Sequence, residues 1–139
     1  MAERKRLVLD ANILIRACLG IRVRQLIADF ASKVDFHGAE ANAAEASGYI
    51  DVLAVRRGLD KAVCQESSLS LMEVVQMVDT TLIETAKDEA LARLRDPADW
   101  PALALALQLE CAIWTEDQDF FGTGVATWTT ATVQRYLDS

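Results

Sequence analysis

Short apolar runs alternate with amphipathic stretches along the whole chain. The apolar runs are rich in Leu, Val, Ile and aromatic residues, which is typical of strands buried on both faces of a sheet. The amphipathic stretches repeat apolar residues at intervals of three and four, which is typical of helices with one buried face. The pattern predicts strands over 7–9, 34–36, 74–78, 111–115 and 126–128. It predicts helices over 12–20, 22–32, 38–57, 60–71, 82–94 and 102–109, and a last helix that ends at Leu137.

Strands that alternate with helices pair in parallel through right-handed crossovers. We therefore expect an α/β fold, a three-layer α/β/α sandwich with a central, mostly parallel sheet. The 139 residues, of which 52% are hydrophobic, can form one compact domain over 1–139 but are too few for two domains of ordinary size. In such a sheet, ligands bind at the carboxyl ends of the strands.

The cysteines and the hydropathy favour a cytoplasmic protein. Cys18, Cys64 and Cys111 lie far apart without a CxxC pair, so the sequence indicates neither a disulfide framework nor a thiolate zinc site. We interpret them as reduced residues of the core. No signal peptide or membrane span is predicted, because no uncharged stretch approaches the roughly 18 residues that a membrane helix needs.

The net charge of −7 is unevenly distributed along the chain. Residues 1–35 carry seven Lys or Arg against four Asp or Glu, and the remaining residues carry seven against seventeen. This distribution argues against a protein that wraps nucleic acid with a uniformly basic surface. It is compatible with phosphate chemistry if several carboxylates converge on divalent cations, which reverse the local sign of the charge.

Three aspartates lie next to the ends of strands of the predicted sheet. Asp10 follows the first strand directly, and Asp117 comes two residues after the strand that ends at Thr115. Both carboxylates are therefore expected in one crevice at the carboxyl ends of the strands. Asp99 opens the helix that leads into the same strand, so we expect it at one rim of the sheet. Taken singly, Asp10 would be a turn residue and Asp99 a helix N-cap.

The helix predicted over 38–57 offers two glutamates, and only one of them can face that crevice. At about 100° per residue, Glu40 and Glu45 lie about 140° apart around the helix axis. Glu40 falls about 100° from the centre of the apolar stripe, on a solvent-facing side. Glu45 falls about 120° from it on the other flank, which Tyr49 and Val52 widen, so we expect this carboxylate to border apolar surface. We favour Glu45 and keep Glu40 as the alternative.

Carboxylates that meet without cations repel one another and must either take up protons or bind a cation. Hard oxygen ligands favour Mg²⁺ or Mn²⁺. The sequence therefore predicts a Mg²⁺ or Mn²⁺ site with four ligands if these acids converge: Asp10, Glu45, Asp99 and Asp117.

Three segments resemble the PIN domain family. Residues 7–15, LVLDANILI, are similar to the first strand and helix of that family, with its first catalytic aspartate at Asp10. Residues 99–106, DWPALALA, resemble its aspartate at the start of an Ala- and Leu-rich helix. Residues 113–120, IWTEDQDF, resemble its strand followed by Thr-x-Asp-x-Asp-Phe, which places the fourth acid at Asp117.

The resemblance extends over nearly the whole chain and matches Glu45 to the glutamate in the helix after the second strand of the family. It implies a fold similar to the 5′-nuclease class and cleavage of RNA with Mg²⁺ or Mn²⁺. It also implies that Asp10 and Asp117 are the principal metal ligands. Asp99 would be a ligand directly or through water, and Glu45 a ligand or a base that orients water.

Many small single-domain members of this family are VapC-like toxins, each paired with an antitoxin whose tail blocks the active site. Homodimers are common among them. The resemblance therefore implies an endoribonuclease toxin with an RNA substrate, an antitoxin partner and a homodimeric state.

Several polar residues near these acids have two interpretations. Asn12 and Thr115 either orient ligands beside the acids or are simply a helix cap and a strand residue. Asp119 is a candidate for an acid that contacts the metal ligands and not the metal, whereas we interpret Asp96 as a turn residue. The arginines after the first strand either hold the nucleic-acid backbone or belong to a solvated helix face. They are Arg16, Arg22 and Arg24.

Two other functions stay open. A PIN fold whose acids do not assemble would be a non-catalytic protein-interaction module. A phosphatase with an aspartate nucleophile also has an acid after a strand, but its proton donor usually lies two residues later, where this chain has Asn12. Neither a GxxxxGK[ST] loop nor a GxGxxG turn occurs, so the sequence gives no support to nucleotide binding.

Overall fold

The computed structural model describes residues 4–139, and residues 1–3 of the predicted domain lie outside the described residues. The strands are β1 (Lys5–Leu9), β2 (Val34–Ala39), β3 (Gln76–Val78), β4 (Ala112–Trp114) and β5 (Thr127–Trp128). The α-helices are α1 (Ala11–Leu19), α2 (Arg22–Phe30), α3 (Glu40–Arg56), α4 (Lys61–Val74), α5 (Lys87–Arg93), α6 (Trp100–Leu109) and α7 (Val133–Asp138). Short 3₁₀ segments span Thr80–Ala86, Pro97–Asp99 and Gln118–Phe120.

The five strands form one sheet in the order β3-β2-β1-β4-β5, and every neighbouring pair is parallel. β1 lies at the centre, where Leu7 is opposite Phe36 of β2 and Ala112 of β4. Because all strands run in the same direction, their carboxyl ends lie along one edge of the sheet, which we call the carboxyl edge.

Helices cover both faces of the sheet. Leu7 and Leu9 of β1 belong to a core that includes residues of α1, α2, α3 and α4, whereas Val8 belongs to a core built largely from α6. The division follows from the alternation of neighbouring side chains between the two faces of a strand. The architecture confirms the predicted three-layer α/β/α sandwich, with a sheet that is parallel throughout.

Helix α6 is apolar on nearly all sides because it is buried between the sheet and α5. Residues 102–106 are almost inaccessible to solvent. Pro101 lies in the first turn, where its missing N–H costs no helical hydrogen bond. The end of α6 leads into the amino end of β4, so its start lies towards the carboxyl edge. Within residues 4–139, no helix combines the length and the hydrophobicity needed to cross a membrane.

The helix predicted over 38–57 begins two residues later, at Glu40. Gly38 and Ala39 instead extend β2 and pair with β3. A Cβ atom at Gly38 would lie 3.2 Å from the Met77 sulfur, so the absence of a side chain permits this close approach. The small residues at this boundary fit a strand or a helix, and strand pairing decides between them.

The helix predicted over 82–94 is α-helical only over Lys87–Arg93. The preceding residues, Thr80–Ala86, form a 3₁₀ segment that starts at Asp79, whose carboxylate accepts the Thr81 N–H at 2.9 Å. Gln108 of α6 donates to the Leu82 carbonyl at 3.1 Å. This hydrogen bond holds the 3₁₀ segment against α6. The apolar periodicity of the sequence does not distinguish this segment from an α-helix.

Candidate active site

Asp10 lies at the carboxyl edge, between β1 and α1. Its carboxylate is buried, and Oδ1 accepts the Ala11 N–H at 2.8 Å, which caps α1. Oδ2 accepts hydrogen bonds from the Thr115 hydroxyl at 2.8 Å and from the Asn12 amide at 3.1 Å. Because β1 and β4 are neighbours, the Asp10 N–H also donates to the Trp114 carbonyl at 3.1 Å. Parallel pairing thus brings Thr115 alongside Asp10.

Asn12 and Thr115 hold the segment that carries Asp117. The Thr115 hydroxyl oxygen accepts the Asp117 N–H at 3.0 Å, and Asn12 Oδ1 accepts the Glu116 N–H at 3.3 Å. The prediction of Asn12 as the cap of α1 is wrong, because Asp10 occupies that position. The Asn12 side chain instead connects Asp10 to the segment after β4.

Asp99 occupies the N-cap position of α6, but its side chain makes no capping hydrogen bond to the helix. Asp96 instead caps the preceding 3₁₀ turn, where its Oδ1 accepts the Ala98 N–H at 3.0 Å. The Asp99 carboxylate is therefore not engaged by the helix. Its Oδ2 atom is buried and has no hydrogen-bond partner within residues 4–139. Such an oxygen is costly to bury, because nothing replaces the water that it loses.

Burial and repulsion from other acids together raise the pKa of Asp99 to about 7, and burial is the larger cause. The repulsion comes, in decreasing order, from Asp117, Asp10, Asp96 and Asp119. Each of these charges is thus close enough to disfavour the ionised form of Asp99. The structure brings Asp10, Asp99 and Asp117 together. The positions of the strands predicted this for Asp10 and Asp117, whereas the rim that holds Asp99 was left open.

Glu45 is the outermost of the four predicted site residues. Burial is the main reason why the pKa of Asp10 is raised, and the charges of Asp117 and Glu45 raise it further. The Glu45 side chain is nevertheless exposed, as are Tyr49 at 55% and Val52 at 49%. The apolar flank that was expected beside Glu45 is therefore largely exposed to solvent. Glu40 is exposed as well, in the first turn of α3.

Two residues near the carboxyl edge, Asp96 and Asn42, were not predicted as part of the site. Carboxylate oxygens of Asp96, Asp99 and Asp119, the last already a candidate, all lie within 4.8 Å of one another. The spacing of Asp96 and Asp99 was a signal, because a 3₁₀ turn stacks residues three positions apart. Asn42 is buried in the first turn of α3, and within the described residues its Nδ2 atom has no acceptor. Nothing in the apolar pattern singles out Asn42.

Among residues 4–139, the site contains several carboxylates and no cationic side chain that forms an ion pair with Asp10, Asp99 or Asp117. The ion pairs found within residues 4–139 are Arg4–Asp35, Arg16–Glu116 and Arg93–Glu89, and none of them involves Asp10, Asp99 or Asp117. The pKa values of Asp10 and Asp99 are raised, and Asp99 Oδ2 is buried without a hydrogen-bond partner within residues 4–139. A hard divalent cation would stabilise such carboxylate oxygens. The residues present therefore fit Mg²⁺ or Mn²⁺.

Replacing Asp99 with Asn is expected to stabilise the metal-free protein more at pH 8 than at pH 5. The unfolded chain releases this proton near pH 3.8, whereas the folded protein keeps it to about pH 7. The stability from the protonated group is therefore full below about pH 3.8 and is lost as the pH rises through about 7. Asn keeps this stability because it cannot ionise. Thermal melts of both proteins in EDTA measure the difference, and an equal gain in Tm at the two pH values would contradict the raised pKa.

A parallel sheet between two helical layers, with unpaired carboxylates at its carboxyl edge, defines an α/β protein equipped to hold a divalent metal ion. The family model of the PIN domain matches residues 8–138. The chain belongs to the PIN domain family, as the sequence motifs around Asp10, Asp99 and Asp117 indicated.

Solved structures share this fold at low sequence identity. VapBC2 from Rickettsia felis, bound to a DNA fragment from its promoter, aligns with a TM-score of 0.64 and 13% identity over 89% of this chain and 98% of that chain. A protein from Pyrobaculum aerophilum aligns with a TM-score of 0.71 and 15% identity over 96% and 90%. A toxin-antitoxin complex from Klebsiella pneumoniae aligns with a TM-score of 0.60 and 16% identity over 89% and 97%. A comparison with curated protein sequences finds no match.

Proposed function

We propose that this protein is a Mg²⁺- or Mn²⁺-dependent endoribonuclease and the toxin of a toxin-antitoxin pair. The observation that carries the proposal is the convergence of Asp10, Asp99 and Asp117 without a cationic partner, together with the buried, unpartnered Oδ2 of Asp99. PIN domains are generally nucleases and typically bind divalent metals. An acidic site of this kind is suited to phosphodiester hydrolysis. A bound cation would reverse the local negative charge, so that the negatively charged phosphate can approach the acidic residues.

In this proposal Asp10 and Asp117 are the principal metal ligands, and Asp99 is a ligand directly or through water. A bound Mg²⁺ or Mn²⁺ would supply a water-derived nucleophile at neutral pH and neutralise charge that develops on the phosphate. Thr115 and Asn12 hold Asp10 Oδ2 in one orientation through their hydrogen bonds. Asp99 would have to lose its proton in order to bind a cation. The affinity of the site for the metal ion is therefore expected to rise as the pH approaches about 7.

Glu45 has a different role from the buried acids. Its exposed carboxylate is close enough to affect the pKa of Asp10, so it can reach water at the rim of the site. We assign it as a further ligand or as the base that orients the attacking water.

The toxin assignment is supported by the similarity of the fold to the toxin-antitoxin complex from Klebsiella pneumoniae. The chain covers 97% of the length of that relative. We accordingly propose an antitoxin that masks the acidic site, a homodimer as the assembled form, and RNA in the cytoplasm as the substrate.

The direct test is to incubate the purified protein with total cellular RNA in the presence of Mn²⁺. Discrete RNA fragments are expected with Mn²⁺ and no fragments when EDTA removes the metal, because the proposed chemistry needs the cation. Sequencing the fragment ends would identify the cleavage site. Intact RNA in every reaction, from a protein shown to be folded by circular dichroism, would favour the non-catalytic interaction module instead.

A further inference from the structure

Arg16 and Lys87 lie in the two helical layers on opposite faces of the sheet. Arg16 belongs to α1, which packs on one face, and Lys87 begins α5, which belongs to the layer on the other face. We propose that Arg16 and Lys87 form a track that holds the backbone of a single RNA strand on either side of the acids. This inference rests on the proposed function and extends it to how the substrate lies across the site.

Arg16 lies one helical turn beyond Asn12 and is positioned by Glu116. Its Nη1 atom is 4.0 Å from Glu116 Oε1, and the arginine side chain is 55% exposed. The same glutamate oxygen accepts the Thr130 N–H at 2.7 Å, which fixes Glu116 against the loop between β5 and α7. Because Glu116 precedes Asp117, this contact places the guanidinium beside the segment that carries Asp117. The wide spacing leaves the guanidinium donors available to a phosphate.

Lys87 is positioned by an aromatic ring. Its ammonium lies 4.8 Å from the centroid of the Trp100 ring, and Trp100 directly follows Asp99 in the chain. Within residues 4–139, no carboxylate oxygen lies within 4.0 Å of this ammonium. A cation–π contact restrains the ammonium without cancelling its charge. Lys87 therefore presents a full positive charge beside the helix start that carries Asp99.

The other candidate arginines are engaged away from the acids. Arg22 donates to Gln134 at 3.1 Å, and Arg24 donates to Ser67 of α4 at 3.2 Å. Of the three arginines that the sequence offered as contacts for the RNA backbone, only Arg16 lies beside the segment that carries Asp117. A strand that crosses the carboxyl edge from the α1 layer to the α5 layer therefore meets Arg16, then the acids, and then Lys87.

The track is tested by RNA binding, which is measured separately from cleavage. The probe is a fluorescein-labelled single-stranded RNA of 20 nucleotides of mixed sequence, bound to Asp10→Asn protein so that it stays intact. Arg16→Gln and Lys87→Gln are each expected to raise Kd about fivefold at low salt and to reduce the slope of log Kd against log salt by about 0.7. Arg16→Lys and Lys87→Arg should restore most of the affinity, because they keep the charge.

Arg56→Gln is the matched control, because Arg56 is exposed at the far end of α3, about 25 Å from Glu40 along the helix. It is expected to leave both Kd and the salt slope unchanged. The proposed track is wrong if Arg16→Gln and Lys87→Gln have the same Kd for RNA as Arg56→Gln, or if the Asp10→Asn protein itself binds no RNA. If the Asp10→Asn protein binds RNA through both residues and the wild-type protein does not cleave RNA, the track stands and the nuclease proposal fails.

Discussion

Asp10→Asn is expected to reduce metal-dependent RNA cleavage by at least about a hundredfold while the protein stays folded. The amide oxygen of Asn can still accept the Ala11 N–H, so the cap of α1 survives. The substitution removes the negative charge of the proposed metal ligand. The Asn12 amide now donates to Asp10 Oδ2, and if the Nδ2 atom of the new Asn takes the place of Oδ2, two donors face each other. The Tm in EDTA is expected to rise by a few degrees, because one charge leaves a buried acidic cluster.

The measurements for this variant are initial cleavage rates with Mn²⁺ and thermal melts in EDTA. Asp29→Asn makes the same chemical change on the exposed face of α2, where Asp29 accepts a hydrogen bond from Gln25 at 2.9 Å. It should leave cleavage within twofold of wild type, on the order of the scatter for surface changes. A folded Asp10→Asn protein with full activity would remove Asp10 from the proposed metal site.

Glu45→Gln is expected to lower the cleavage rate by about tenfold to a hundredfold, and Glu40→Gln by less than about twofold. Both glutamates are exposed and lie in the first two turns of α3, so the two variants change the same helix by the same chemistry. Glu45 differs because its charge reaches Asp10. The comparison therefore isolates the proposed role of Glu45 at the site from any effect on helix stability.

Cleavage rates at saturating Mn²⁺ and at limiting Mn²⁺ distinguish the two roles assigned to Glu45. A ligand would be rescued in part by more metal, whereas a base that orients water would not. If Glu40→Gln strongly lowers the cleavage rate and Glu45→Gln leaves it unchanged, the flank of α3 that carries Glu40 faces the site. That result would reverse the assignment and leave the other three acids in place.

The sequence placed Asp10 and Asp117 correctly because their positions follow from the strands alone. Each acid comes just after a run of residues that is buried on both faces of the sheet, and parallel neighbours end at the same edge. The pairing of β1 with β4 then brings Thr115 to Asp10 within hydrogen-bond distance. For Asp99 the sequence left open which rim of the sheet it occupies, and the structure shows that α6, which Asp99 precedes, runs back from the carboxyl edge to reach β4.

Features that depend on backbone geometry between the regular elements were not predictable. The contact between Asp96 and Asp119 needs the 3₁₀ turn before α6 and the turn after β4, and neither turn has a periodic signal. Helix angles placed Glu45 on an apolar flank, but a flank that includes Tyr49 and Val52 is not necessarily covered. Burial depends on which element packs there, which the periodicity of one helix does not specify.

The measurement that tests the proposed metal site most directly is X-ray diffraction from crystals of the wild-type protein soaked in Mn²⁺, recorded to locate the anomalous scattering of manganese. We expect a manganese peak between Asp10, Asp99 and Asp117, with oxygen ligands about 2.2 Å away, as hard divalent cations require. The same soak of Asp10→Asn crystals should show a weaker peak or none. The absence of a peak at these acids in wild-type crystals, under conditions in which the protein cleaves RNA, would contradict the proposed metal site.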